Sequence, residues 1–193
     1  MQRNGPQSPR PPRPWLLITY RAPKEPSTAR VAAWRRLHRL GALYIGPSTC
    51  LLPAELAQGE ALTTAAEGVT TAGGTFDTLR IEAFDREAEQ LLLARVNAAR
   101  DAEYGEVIER AEALIAELRR EGERGKFTFA EVEENEADLA KLTRWLDTVR
   151  RRDRFGAACR SRAEAAVEKA ERHLHTFVER SAWHGDQDLE VSR

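Results

Sequence analysis

The hydrophobic positions of this chain change their period several times, and the order of those changes outlines a fold. Residues 15–23, WLLITYRAP, form an apolar run of strand character that ends in Tyr20 and Arg21 and turns at Pro23. Ser27 then suits a helix N-cap. Beyond it Ala33, Trp34, Leu37 and Leu40 recur on one side of a helix until Gly41, while Arg35, Arg36 and Arg39 fall on the other. The segments ALYI and TCLLP flank Gly46, Pro47 and Ser48, which favour a turn, so they predict a hairpin. A weaker helix is predicted over 55–71, closed by Gly73 and Gly74. In TFDTLRIEAF, Leu79, Ile81 and Ala83 alternate with Arg80 and Glu82, the pattern of a half-buried strand. The order is βαββαβ. It predicts an α+β protein that opens with a ferredoxin-like domain, four antiparallel strands with two helices on one face.

From residue 86 onward the period is helical. Tyr104, Ile108, Ala111, Ile115 and Leu118 step by four and three through a segment over 86–121, ended by Gly122 and Gly125. A second helix starts at FTFAE, where Thr128 and Glu131 form a capping box and Phe127 is placed to staple onto Val132. Its seam is Val132, Leu139, Leu142, Leu146 and Val149, with Asn135 as the polar member. A third helix, over 160–182, offers Ala163, Val167, Ala170, Leu174 and Phe177. Three apolar seams need partners, which predicts a C-terminal antiparallel helical bundle within one chain or completed by a second copy as a homodimer. The expected divisions are a Pro- and Arg-rich tail of disordered composition over 1–14, the ferredoxin-like domain over 15–85, the bundle over 86–183 and a polar tail over 184–193.

Charge and cysteine content narrow the functional classes. Thirty Lys and Arg residues nearly balance thirty-one Asp and Glu, and the net charge of -1 gives no global attraction to nucleic acid or an anionic membrane. Any such contact depends on a local patch. Cys50 and Cys159 lie far apart without metal-ligand spacing, which fits a reduced cytoplasmic setting. No run approaches the roughly 20 apolar residues of a membrane span, and the first fourteen residues lack the apolar stretch of a signal peptide.

Candidate chemistry is sparse. Following the seam of the long helix backward from Tyr104 reaches Asp101 and Asn97, so positions that should be apolar become polar, with Arg100 beside them. Such a group is expected to form a hydrogen-bonded network that docks the long helix against the sheet domain and fixes its register, or an anion site with Arg100 and Arg21 as donors. Arg35, Arg36 and Arg39 are the candidate nucleic-acid contacts, against the alternative of a solvated helix face. His173, His175 and His184 lack the i, i+4 spacing of a helical metal pair, and the sequence holds no Gly-rich phosphate loop or nucleophile elbow. The expectation is a non-enzymatic protein without cofactor or metal.

The segments WLLITYRAPKEPSTARVAAWRRLHRLGALYI, RVNAARDAEYGEVIERAEALIAEL and KFTFAEVEENEADLAKLTRWLDTVRRRDRFGA resemble the N-terminal domain of the chromate-resistance ChrB family, over residues 15–183. The first segment is also faintly similar to the ferredoxin-like domain of PaaX-type repressors and of CRISPR adaptation nucleases. The ChrB resemblance implies a regulatory protein of a chromate efflux operon, with DNA or another regulator as partner and an oxyanion such as chromate as effector. It also implies a second, C-terminal domain in longer members, for which the sequence given leaves no room. Cys50 departs from the aromatic residue expected there. The nuclease resemblance implies a metal-binding aspartate at the end of the first strand, where this chain has Arg21, a group that cannot ligate Mg²⁺. The alternatives to a regulator are therefore a metal-dependent nuclease and a non-catalytic dimeric adaptor.

Overall fold

The structure, a computed structural model, describes residues 13–23, 28–125 and 128–191, with the side chains of the last helix described as far as Ala182. It contains strands β1 (Trp15–Arg21), β2 (Leu43–Gly46), β3 (Thr49–Pro53) and β4 (Thr75–Ile81). The helices are α1 (Thr28–Leu40), α2 (Glu60–Thr71), α3 (Arg86–Glu123), α4 (Phe129–Arg152) and α5 (Arg160–Val191). Two compact units divide between Leu93 and Ala94, inside α3. Among the described residues no helix is long and apolar enough to cross a membrane.

In the first unit the four strands form one antiparallel sheet in the order β2-β3-β1-β4. Alternation along β1 assigns its faces. Ile18 and Tyr20 join Cys50 and Leu52 on the side where Ala33 and Leu37 of α1 and Val69 of α2 pack, and this cluster is the core of the unit. Tyr20 stacks on Phe76 with ring centroids 6.1 Å apart, and its hydroxyl lies 3.1 Å from that of Tyr44. Burial pushes the Cys50 thiol up to about 12, so it behaves as a small apolar side chain.

Three sequence expectations are corrected in this unit. Trp34 does not share the buried face of α1: it is 45% exposed and its ring stacks on His38. Ala33 and Leu37 are buried in the core and Leu40 packs against it half-buried, as expected, whereas Trp34 lies one helical step, about 100°, from Ala33. The helix predicted over 55–71 is broken. Ala54–Leu56 form a separate 3-10 turn, and Gly59, at φ 93 and ψ -175, takes a backbone conformation that only glycine tolerates, so α2 starts at Glu60. In β4 the face of Leu79 is not the core face. The strand is an edge of the sheet, Leu79 is 60% exposed, and Phe76 is the residue that packs into the core. Alternation located the strand correctly but assigned its inner side to the wrong parity.

The α2 to β4 connection shows why two glycines stand in succession. Gly73, at φ 82, closes the helix with its N–H on Thr70, and the Gly74 N–H returns to the Val69 carbonyl. Elsewhere glycine is dispensable: Gly68 in α2 and Gly105 in α3 have open space where a Cβ would stand. Gly68→Ala and Gly105→Ala are each expected to stabilise the protein by roughly 0.5–1 kcal/mol, read as a raised urea midpoint.

The second unit has one core shared by α3, α4 and α5. Tyr104, Ala111, Ile115 and Leu118 of the expected seam are buried, and Val107 and Leu114 widen it beyond a strict four-three step. Leu142, Leu146 and Val149 come from α4, and Ala163, Val167, Ala170, Leu174 and Phe177 from α5. Asn135 is buried as the polar member of its seam, donating to the Glu121 carboxylate and to the Glu131 carbonyl at 2.8 Å each. The Thr128 hydroxyl caps α4 by accepting the Glu131 N–H at 3.3 Å. The expected Ser27 cap and Phe127 staple lie outside the described residues. Gly122 falls inside α3, whose turn comes at Gly125 with φ 65.

Candidate functional site

The polar stretch of α3 meets the elbow between α4 and α5, residues 153–159, so the hydrogen bonds expected to dock this helix against the sheet domain are made within the second unit. The elbow is organised by Asp153, which is 7% exposed. Its Oδ1 accepts the Gly156 and Ala157 N–H groups at 3.0 and 3.1 Å, and its Oδ2 accepts the Tyr104 hydroxyl at 3.2 Å. One carboxylate thus satisfies two backbone donors that the turn would otherwise strand and anchors the turn to α3. Asp101 adds a second anchor three residues earlier on α3, accepting the Cys159 N–H at 2.7 Å. Burial, and then the neighbouring Asp153 carboxylate, push the Tyr104 phenol well above its ordinary range, which keeps it a neutral donor.

A third link joins α3 to the end of α4. Glu103 accepts from Arg152 at 2.6 Å through Oε2 and pairs with Arg100 at 3.2 Å through Oε1. Burial lowers the Arg152 pKa, Glu103 opposes that shift, and the nearby Arg100 guanidinium adds to it. Arg160, at the start of α5, is pulled the other way by its hydrogen bond to Glu164. Arg100 is only 4% exposed, yet its Nε and Nη1 have no hydrogen-bond partner, and neither does the buried Oδ1 of Asn97. Unpaired donors on a buried cation are costly, which makes this the least satisfied spot in the cluster.

Of the residues singled out in the sequence, the structure joins Asp101 and Tyr104 to the elbow and Arg100 to Glu103, with Asn97 one turn before them. Arg21 belongs to the sheet unit, exposed at the end of β1. Of the α1 arginines, Arg35 and Arg39 are exposed and Arg36 is half-buried. Arg39 donates through Nε to the Arg35 carbonyl at 3.2 Å. Sequence reasoning missed Glu103, Arg152 and Asp153. The available signal was an aspartate directly after Arg150, Arg151 and Arg152 and three residues before Gly156, a turn-forming pattern, but the contacts of Asp153 with Tyr104 and of Arg152 with Glu103 each span 49 residues of chain. The described residues contain no group of three or more His, Cys, Asp or Glu side chains placed to hold a metal ion.

The family model described as Protein ChrB, N-terminal, matches residues 30–186, and the chain belongs to that family. Membership associates it with chromate resistance. The comparisons with curated proteins and with solved structures gave no match.

Proposed function

We propose that this chain is a cytoplasmic regulatory protein that takes part in transcriptional control of a chromate or related oxyanion stress response, through DNA or through another regulator. The observation that carries the reading is the ChrB family match, which runs through both units instead of stopping at one. The strand order β2-β3-β1-β4, with α1 and α2 against one face, supports the ferredoxin-like reading of the first unit, and the shared core of α3, α4 and α5 supports the bundle reading of the second.

Direct DNA contact rests on Arg35, Arg36 and Arg39 of α1. A gel shift of the purified protein on its own upstream DNA, run across a salt series, tests it. Retardation is expected at low salt, with a log–log salt slope that becomes shallower by about 1 for each phosphate contact removed in Arg35→Gln, Arg36→Gln and Arg39→Gln. No retardation at low salt would rule out direct binding and leave the regulator-associated form of the proposal.

A further inference from the structure

We propose that Asn97 and Arg100 on α3 form a recognition site for a small oxyanion that carries a proton. The proposal deepens the regulatory reading, on which it rests for its use in the cell, by naming the ligand chemistry and the residues that hold it.

The argument starts from what the buried groups lack. Arg100 presents three nitrogens in a space that is 4% exposed, and only Nη2 has a partner, Glu103 at 3.2 Å. That carboxylate is held more closely by Arg152, at 2.6 Å through its other oxygen, so Arg100 shares its counter-ion with a second guanidinium. The two other acids of the stretch and elbow are committed: Asp101 accepts the Cys159 N–H, and Asp153 accepts two backbone N–H groups and the Tyr104 hydroxyl. A guanidinium cannot relieve the deficit by losing its proton, since it remains charged in proteins. The missing acceptors for Nε and Nη1 therefore come from outside the protein.

The unmet groups also define the ligand's hydrogen bonds. Nε and Nη1 of Arg100 require acceptors, whereas Oδ1 of Asn97, three residues earlier on the same helix surface, requires a donor. A halide supplies charge but no donor. A fully deprotonated oxyanion supplies acceptors only. Water supplies a donor and acceptors but no charge to set against a guanidinium that shares its one carboxylate with Arg152. An oxyanion that keeps an O–H, such as dihydrogen phosphate or bicarbonate, accepts from the guanidinium and donates to the amide oxygen. A site built to pair a ligand hydroxyl discriminates strongly against an analogue lacking it, because its own buried group is then left unpaired.

The full chain is titrated calorimetrically with inorganic phosphate, sulfate and chloride near pH 6.5 at matched ionic strength. Phosphate is expected to bind at least about tenfold more tightly than sulfate and chloride. Arg100→Met should lose that binding, and Asn97→Ala should retain anion binding while phosphate and sulfate become nearly equal. Circular dichroism checks that each variant is folded. If Arg100→Met fails to fold, Asn97→Ala decides. Phosphate binding no tighter than sulfate in the unaltered protein, or a preference that survives Asn97→Ala, would mean an adventitious ion only and overturn the proposal. Anion titration and gel shift are separate measurements, so failure here leaves the transcriptional reading standing, and failure there leaves this site standing.

Discussion

Asp153→Ala is expected to destabilise the helical unit by about 3–5 kcal/mol, the largest effect of any single side chain outside the apolar core. The substitution strands the Ala157 N–H and the Tyr104 hydroxyl, both buried, and removes the acceptor of the exposed Gly156 N–H as well. Each hydrogen bond to a charged acceptor contributes roughly 1.5–3 kcal/mol, and the three are not additive because they share one carboxylate. Tyr104→Phe removes only one of them and should cost about 1–2 kcal/mol. Urea denaturation at neutral pH, followed by circular dichroism, separates the two variants by midpoint with the slope unchanged. Equal midpoints for Asp153→Ala and the unaltered protein would show that the elbow does not depend on this carboxylate.

Gly74→Ala is the corresponding prediction for the sheet unit. A Cβ at this position would be driven into the carbonyl oxygen of Arg21 and would stand 2.8 Å from Cγ1 of Val69, a fully buried side chain. Neither obstacle is the free end of a flexible chain. The backbone at the end of β1 or the start of β4 must move, at a cost of roughly 3 kcal/mol, in contrast to the gains expected at Gly68 and Gly105. The thermal midpoints of the three variants test the contrast. A Gly74→Ala protein as stable as the other two would contradict the close approach of the two backbone segments.

The parts of the structure visible in the sequence are those governed by local period. The α3, α4 and α5 seams follow from four-three spacing because a long amphipathic helix repeats its signal many times, so one misplaced residue does not erase it. The boundary errors arose where a single residue decides the backbone, as Gly59 does by separating the 3-10 turn from α2. The face of β4 was misread because an edge strand with both sides largely exposed carries too little contrast for alternation to assign its inner side. The candidate site divides in the same way. Asn97, Arg100, Asp101 and Tyr104 stood out as polar residues on an apolar stripe. Their partners Glu103, Arg152 and Asp153 resembled ordinary surface charges, and only folding across 49 residues distinguishes them.

The anchoring of the elbow by Asp101 and Tyr104 has a consequence for how this family can vary. Helix-to-helix connections ordinarily accept extra residues, since their backbone groups face water and lengthening a loop changes its closure entropy little. This one has two N–H groups committed to Asp153 and another to Asp101, so a single inserted residue between 153 and 159 would pull the committed groups out of reach of their acceptors. Relatives that keep both aspartates are therefore expected to keep the number of residues over 153–159, and length differences should accumulate in other connections.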